Sequence, residues 1–172
     1  MVLNALFIAL HVVLCYVSIN LGNMKITMSG LPIVIGSMLM GPMSGVTIGL
    51  VGSFLNQMLQ YGFTATTVLW ILPAGLKGLM CGWYARRKGY APTHRETLFI
   101  LILSAVLVTS LNTLVMYIDS KLYGYYSYAY VFGAIIPRYI SGVITSFVYL
   151  IITETLLVRL RRMTNVKELQ EV

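Results

Sequence analysis

The chain has 172 residues, of which 58% are hydrophobic and 10% are charged, and its net charge is +7. Its mean hydropathy of +0.83 is far above what a water-soluble domain needs, so we expect the chain to lie in a bilayer. A bilayer core about 30 Å thick takes roughly 20 apolar residues per helix. Residues 1–172 therefore accommodate around six spans as a single domain and leave almost nothing for a separate soluble domain.

Apolar stretches bounded by turn signals predict six transmembrane helices in one compact all-α bundle. We place them at residues 2–20, 31–41, 43–59, 67–85, 97–118 and 129–158. The second is shorter than a full crossing and meets the third at a tight corner, where Gly41 suits a helix end and Pro42 a helix start. The first segment lacks the basic start and the cleavage site of a signal peptide, so we expect it to be retained as a span.

Basic residues predict the orientation, because Lys and Arg in short loops stay on the cytoplasmic side of a membrane. They concentrate after the fourth and sixth spans: Arg86, Arg87, Lys88 and Arg95, then Arg159, Arg161 and Arg162. With six spans, both termini are then cytoplasmic, and the loops at 20–30, 60–66 and 119–128 face outward. The net charge is mostly this topological bias, and the cations lack the clustered face that a nucleic-acid interface uses.

No catalytic or metal-binding constellation appears in the sequence, so we expect neither an enzyme nor a metal site. His11 and His94 are far apart, and neither belongs to an HExxH or similar spacing. The acidic residues lie near helix ends or in the tail: Glu96, Asp119, Glu154, Glu168 and Glu171. Cys15 and Cys81 lie in apolar runs, where we interpret them as packing residues.

Two cations inside apolar spans carry the functional prediction, because a charge at membrane depth is costly and normally faces a polar cavity or a partner. Lys77 lies about ten residues into the fourth span, which at a rise of 1.5 Å per residue is roughly 15 Å deep. Arg138 follows Pro137, whose missing backbone donor is expected to open a kink. Too few buried acids are available to neutralise both cations, so a bound anion is expected to do so. The alternative is that Lys77 snorkels and Arg138 bonds to backbone carbonyls.

Aromatic and amide side chains at a similar level complete the predicted substrate site. The predicted set is Lys77, Arg138, Trp70, Asn56, Tyr61, Asn112, Tyr125 and Tyr126. Tyr125 and Tyr126 belong to a tyrosine-rich loop that either anchors the membrane interface or closes as a lid over a planar ring. Asn112 lies within the fifth span, where its amide either bonds a neighbouring helix or contacts a ligand.

Small residues at four-residue spacing indicate close helix contacts. Two such faces lie on the third and fourth spans: Gly41, Gly45, Gly49 and Gly52, then Gly75, Gly78 and Gly82. We interpret both faces as internal packing. Ala5 and Ala9 lie one turn apart on the first span, where a smooth strip is able to accept a helix from another protein.

Four stretches resemble a known family: ALFIA at residues 5–9, residues 31–55, LPAGLKGLMCGWYARR at residues 72–87, and residues 110–143. Together they are similar to the substrate-binding S components of energy-coupling factor (ECF) type vitamin importers, whose first helix carries an AxxxA motif. The last stretch resembles the folate-transporter branch in particular. One departure is Asn56, which stands in a region where many relatives carry an Asp.

The resemblance implies a multi-pass protein of the bacterial plasma membrane that captures a water-soluble vitamin from outside. It implies that Ala5 and Ala9 dock against a membrane coupling subunit, which acts with two ATP-hydrolysing subunits. The chain has no P-loop motif, so we expect it to carry no cofactor of its own and those partners to supply the energy. Lys77 and Arg138 are expected to pair with substrate carboxylate, with folate as the best fit and pantothenate or another anionic micronutrient as the alternative.

Two other classes stay open at this point. A small secondary transporter is expected to carry an acidic relay within the membrane, and no acid lies at the centre of a span. A non-transport membrane assembly factor explains the small-residue faces without a cavity. It predicts that neutral replacements of Lys77 and Arg138 have little effect.

Overall fold

The computed structural model describes residues 2–21 and 24–163, the side chains of 18–26 and 161–163 excepted. The helices are α1 (Val2–Tyr16), α2 (Gly30–Met40), α3 (Pro42–Tyr61), α4 (Thr67–Arg87), α5 (His94–Leu122), α6 (Tyr128–Phe132) and α7 (Ile135–Met163). The strands β1 (Ser18–Leu21) and β2 (Met24–Thr27) form a hairpin between α1 and α2. The all-α bundle predicted from the sequence is confirmed, with α6 and α7 together making the sixth segment.

Within the described residues, three helices are long and apolar enough to cross a membrane by length and composition. They are Thr67–Arg87, His94–Leu122 and the combined segment Tyr128–Leu160. The 11-residue α2 is shorter, as predicted, and lies at the centre of the bundle against α1, α3, α4 and α7. Its Val34, Met38 and Leu39 side chains are fully buried, which explains why this helix is apolar on all sides.

The corner between α2 and α3 forms where the sequence predicts it. Gly41 has a φ of 97°, a conformation that residues with a Cβ rarely adopt, and Pro42 begins α3. The Gly41 N–H makes the last helical bond, to the carbonyl of Ser37 at 2.9 Å, and the positive φ of Gly41 ends α2. The chain therefore reverses direction within one residue, which places α3 beside α2.

The first span ends earlier than predicted. Helix α1 stops at Tyr16 rather than at residue 20, and residues 18–21 pair antiparallel with residues 24–27, from Ser18 opposite Thr27 to Leu21 opposite Met24. Polar and apolar residues alternate in SINL and in MKIT, which is the period of a strand. The loop predicted at residues 20–30 is therefore corrected to a hairpin followed by a short connection, since four alternating residues stand out little between two apolar helices.

The sixth span also differs from the prediction of a single helix kinked at Pro137. The break lies at Gly133 and Ala134, between α6 and α7. Pro137 is the third residue of α7, where the backbone N–H has no helical partner to lose. The predicted kink at Pro137 is therefore wrong, and the break comes before the proline. Helix α5 is longer than predicted, since it continues to Leu122.

Helices α3 and α4 pack backbone against backbone. A Cβ built on Gly45 would lie 2.7 Å from the carbonyl oxygen of Gly78, and a Cβ on Gly78 would strike the carbonyl of Gly45. One turn along, a Cβ on Gly49 would strike the carbonyl of Ala74. We call these four residues the α3–α4 seam. The seam confirms that Gly45, Gly49 and Gly78 serve internal packing.

Candidate functional site

A cavity of about 550 Å³ lies between α1, α3, α4, α5 and α7, and the segment that joins the hairpin to α2 closes part of it. This volume suits a small organic molecule. Six of the predicted site residues line it: Lys77, Arg138, Trp70, Asn56, Tyr61 and Asn112. Tyr125 and Tyr126 are not among its lining residues. The fold thus brings together polar groups that lie up to 82 positions apart in the sequence (138 minus 56).

Lys77 points its ammonium group into this cavity. Its Nζ lies 4.6 Å from the centre of the Tyr149 ring, and a Cβ built on Gly30 would lie 2.7 Å from the same atom. The ammonium group is therefore held between an aromatic face and a bare stretch of backbone. Among the described residues, the ion pairs join Lys88 to Glu96 and His94 to Glu154, so no carboxylate neutralises Lys77.

Arg138 lines the cavity and also bonds to the backbone. Its Nη1 donates to the carbonyl of Val131 at 3.1 Å, and its Nη2 donates to the carbonyl of Tyr130 at 3.4 Å. Both acceptors belong to α6, whose last carbonyls have no helical partner. The bonds to backbone carbonyls that the sequence offers as an alternative role for Arg138 therefore form in this structure. A guanidinium group has five N–H donors, so others are left to face an anion.

The two predicted amides, Asn56 and Asn112, differ in their hydrogen bonding. Gln60 donates from Nε2 to the Oδ1 of Asn56 at 2.7 Å, one turn along α3. Asn112 lines the cavity, and within the described part of the chain its amide has no hydrogen-bond partner. The helix-to-helix bond considered for Asn112 therefore does not form in this structure.

His11 also faces the cavity, which the sequence did not reveal. Its Nδ1 lies 2.7 Å from the carbonyl oxygen of Ser29, and because a carbonyl only accepts, Nδ1 carries the proton. Its Nε2 lies 3.4 Å from Ser53 Oγ and 3.6 Å from Cys15 Sγ. Cys15 lines the cavity too, so its interpretation as a packing residue was incomplete. The sequence signal that could have identified His11 is a histidine within the apolar run of the first helix.

Tyr149 fixes the other side of the segment from Thr27 to Gly30. Its hydroxyl donates to the carbonyl of Thr27 at 2.8 Å and accepts the N–H of Gly30 at 3.0 Å. With His11 bonded to Ser29, this segment is held between α1 and α7. No sequence pattern singles out Tyr149, because it is one aromatic residue in a long apolar run.

The tyrosine-rich loop packs on α5. Tyr125 donates its hydroxyl to the Asp119 carboxylate, and Tyr126 meets the edge of Tyr117 with ring centres 5.5 Å apart. Lys121 Nζ lies 4.3 Å from the centre of the Tyr126 ring. Both rings therefore contact α5 and neither lines the cavity, and direct substrate contact by Tyr125 and Tyr126 stays a prediction.

Helix α1 presents an open apolar stripe on the side away from the cavity. Ala5 and Ala9 are exposed there, and the neighbouring Val2, Leu6 and Val13 are 85%, 64% and 58% exposed. The side chains of the two alanines leave a shallow strip between bulkier residues. Docking of a partner helix on this strip stays a prediction.

Comparisons with known proteins agree with this architecture. The family model of the ECF transporter substrate-specific component matches residues 1–157. A solved structure described as the S component of a bacterial ECF transporter has a TM-score of 0.65 and 21% sequence identity, and the match covers 92% of this chain and 95% of that chain. Comparison with curated proteins gives no significant match. Because the family model spans most of the chain, the protein belongs to the family of ECF transporter substrate-specific components.

Proposed function

We propose that this substrate-specific component binds an anionic water-soluble vitamin, with folate as the best candidate, and delivers it to an ECF module. The observation that carries the proposal is the pair of cations, Lys77 and Arg138, in one cavity with no carboxylate partner among the described residues. An unneutralised charge in a membrane protein is costly unless a ligand or another group compensates it. A substrate carboxylate provides that compensation.

Folate fits the remaining groups of the cavity. It has two carboxylates for the two cations and a planar pterin for the Trp70 ring, which lines the same cavity. The amide of Asn112 and the imidazole of His11 supply hydrogen-bonding groups to a polar heterocycle. Pantothenate has one carboxylate and no ring, so it uses fewer of these groups and is the second candidate.

The test is a titration of the detergent-purified protein with folate, pantothenate, riboflavin, thiamine, biotin and pyridoxine, followed by tryptophan fluorescence. We expect folate to bind and Lys77→Met to raise its dissociation constant at least about a hundredfold, since a buried charged contact is lost. Lys121→Met is the matched control, because Lys121 stacks on Tyr126 outside the cavity. Binding of a cationic vitamin, or equal effects of the two variants, would contradict the proposal.

We place the hairpin end of the bundle outside the cell and the basic end, with Arg86, Arg87 and Lys88, in the cytoplasm. The α1 stripe then forms the docking surface for the membrane coupling subunit, which acts with two ATPase subunits. Ala9→Leu is expected to abolish co-purification with the coupling subunit and uptake while leaving ligand binding intact. Val13→Leu, on the same stripe but already bulky, is the control. Loss of ligand binding in Ala9→Leu would show that docking and capture are not separate.

A further inference from the structure

Asp119 is a buried carboxylate that the proposed binding site does not use. It lies in the last turn of α5, is 8% exposed and does not line the cavity. Its carboxylate accepts hydrogen bonds from the side chains of Thr66, Trp70 and Tyr125. These donors come from the α3–α4 loop, from α4 and from the α5–α6 loop. One carboxylate therefore joins three parts of the chain at the hairpin end of the bundle.

The two carboxylate oxygens have different partners. Oδ1 accepts from the Thr66 hydroxyl and from Trp70 Nε1 at 3.4 Å, whereas Oδ2 accepts from the Tyr125 hydroxyl. An indole has a single polar atom, which only donates, so this bond fixes the direction in which the Trp70 ring faces. Trp70 itself lines the cavity. Oδ1 thus acts on the cavity wall and Oδ2 on the loop.

The loop leads on to the second cation of the cavity. The Tyr125 ring meets the edge of the Tyr130 ring, with centres 5.5 Å apart, and the carbonyl of Tyr130 accepts from Arg138 at 3.4 Å. The same loop is tied to the α3–α4 loop a second time, because the Ala65 N–H donates to the Tyr123 hydroxyl at 3.3 Å. Trp70 and Arg138 are therefore linked through groups that do not themselves line the cavity.

No cation is paired with Asp119 among the residues that the structure describes, so its charge is stabilised there by these donors. We propose that Asp119 is a positioning residue, which orients the Trp70 ring in the cavity wall through Oδ1 and fastens the tyrosine-rich loop through Oδ2. The hydrogen bond to Asp119 raises the pKa of Tyr125, so the phenol stays protonated and keeps donating. The two functions of the carboxylate are separable by mutation.

The experiment uses unliganded protein in a Trp83→Phe background, so that Trp70 is the sole fluorophore of its kind. Asp119→Leu removes both oxygens, and we expect a shifted Trp70 emission, easier quenching by acrylamide and faster chymotrypsin cleavage within residues 121–128. Asp119→Asn keeps one acceptor for Trp70 and is expected to restore the wild-type emission. Tyr125→Phe breaks only the Oδ2 bond and is expected to accelerate cleavage while leaving the emission unchanged.

Tyr126→Phe is the matched control, since its ring contacts Tyr117 and Lys121 but not Asp119. Equal cleavage of Tyr125→Phe and Tyr126→Phe, or wild-type quenching of Trp70 in Asp119→Leu, would overturn the proposal. If Asp119→Leu does not fold, the proposal is tested by the emission of Asp119→Asn and by the cleavage of the two tyrosine variants. An Asp119→Asn emission unlike wild type would then count against the proposal.

A last arm measures folic acid binding and rests on the proposed function. Asp119→Leu and Tyr125→Phe are expected to raise its dissociation constant at least about tenfold, the usual effect of losing a hydrogen bond to a charged group. Tyr128→Phe, at an exposed ring that packs on Phe132 and does not line the cavity, is expected to leave it unchanged. If wild-type protein does not bind folic acid, the substrate proposal fails, while fluorescence and cleavage still test Asp119. A normal affinity in Asp119→Leu would show that the carboxylate does not position the binding site.

Discussion

The α3–α4 seam and the cavity share two helices but are built on opposite principles. In the seam, Gly45 and Gly78 bring two backbones into contact, and no side chain fits between them. In the cavity, Lys77 of α4 stands away from any carboxylate among the described residues and is held by an aromatic ring and a backbone. The seam is stabilised by the absence of side chains, whereas the cavity keeps a costly charge. The comparison distinguishes the seam residues, which stabilise the bundle, from Lys77, which we expect to bind a ligand.

The largest effect is expected from adding one carbon to the seam. Gly78→Ala puts a Cβ into the backbone carbonyl of Gly45, so the helices must separate, and we expect a loss of about 3 kcal/mol of stability. Gly142→Ala is the matched control in the cavity wall, where the added Cβ meets Thr109 Oγ1 at 3.5 Å. Thermal unfolding in detergent measures both. Equal stability of the two variants would show that the seam yields easily.

Removing the positive charge of Lys77 should raise the stability of the unliganded protein rather than lower it. Lys77→Met removes a buried charge that no carboxylate in the described part of the chain compensates, and we expect the unliganded protein to gain about 1–3 kcal/mol. The variant is expected to lose ligand affinity at the same time. Lys121→Met, at an exposed position, should leave the stability unchanged. A lower melting temperature for Lys77→Met would mean that the contact with Tyr149 outweighs the cost of burying the charge.

The smallest effect is expected from the segment between the hairpin and α2. Tyr149→Phe keeps the ring beside Lys77 but removes the hydroxyl that bonds Thr27 and Gly30, which should cost about 1–2 kcal/mol. Amide hydrogen exchange over residues 27–31 should become faster. Tyr139→Phe, whose hydroxyl bonds the exposed Ser110, serves as the control. Unchanged exchange in Tyr149→Phe would show that His11 alone holds the segment.

The sequence predicts the seam more fully than the cavity, for a physical reason. Glycines four residues apart fall on one face of a helix, so the contact between Gly45 and Gly78 is a local pattern repeated on two helices. Hydropathy likewise singles out Lys77 and Arg138 as charges in apolar runs. The role of Asp119 depends on Thr66, which lies 53 positions away, and no local pattern connects them.

The sequence does not predict the hairpin, for a related reason. Four alternating residues give too weak a periodicity to stand out beside α1, and the strand pairing is what satisfies their backbone groups. At the break before α7, Arg138 donates to two carbonyls of α6, a contact that forms only in the folded chain. In both places the backbone follows hydrogen bonds rather than hydropathy.

The seam also determines which parts of the protein are able to move. Because α3 and α4 are in backbone contact, we expect them to move as one rigid body, with nearly constant distances from Asn56 on α3 to Trp70 and Lys77 on α4. The segment from Thr27 to Gly30 is instead held by hydrogen bonds from single side chains of α1 and α7, so we expect it to be less firmly fixed than the seam.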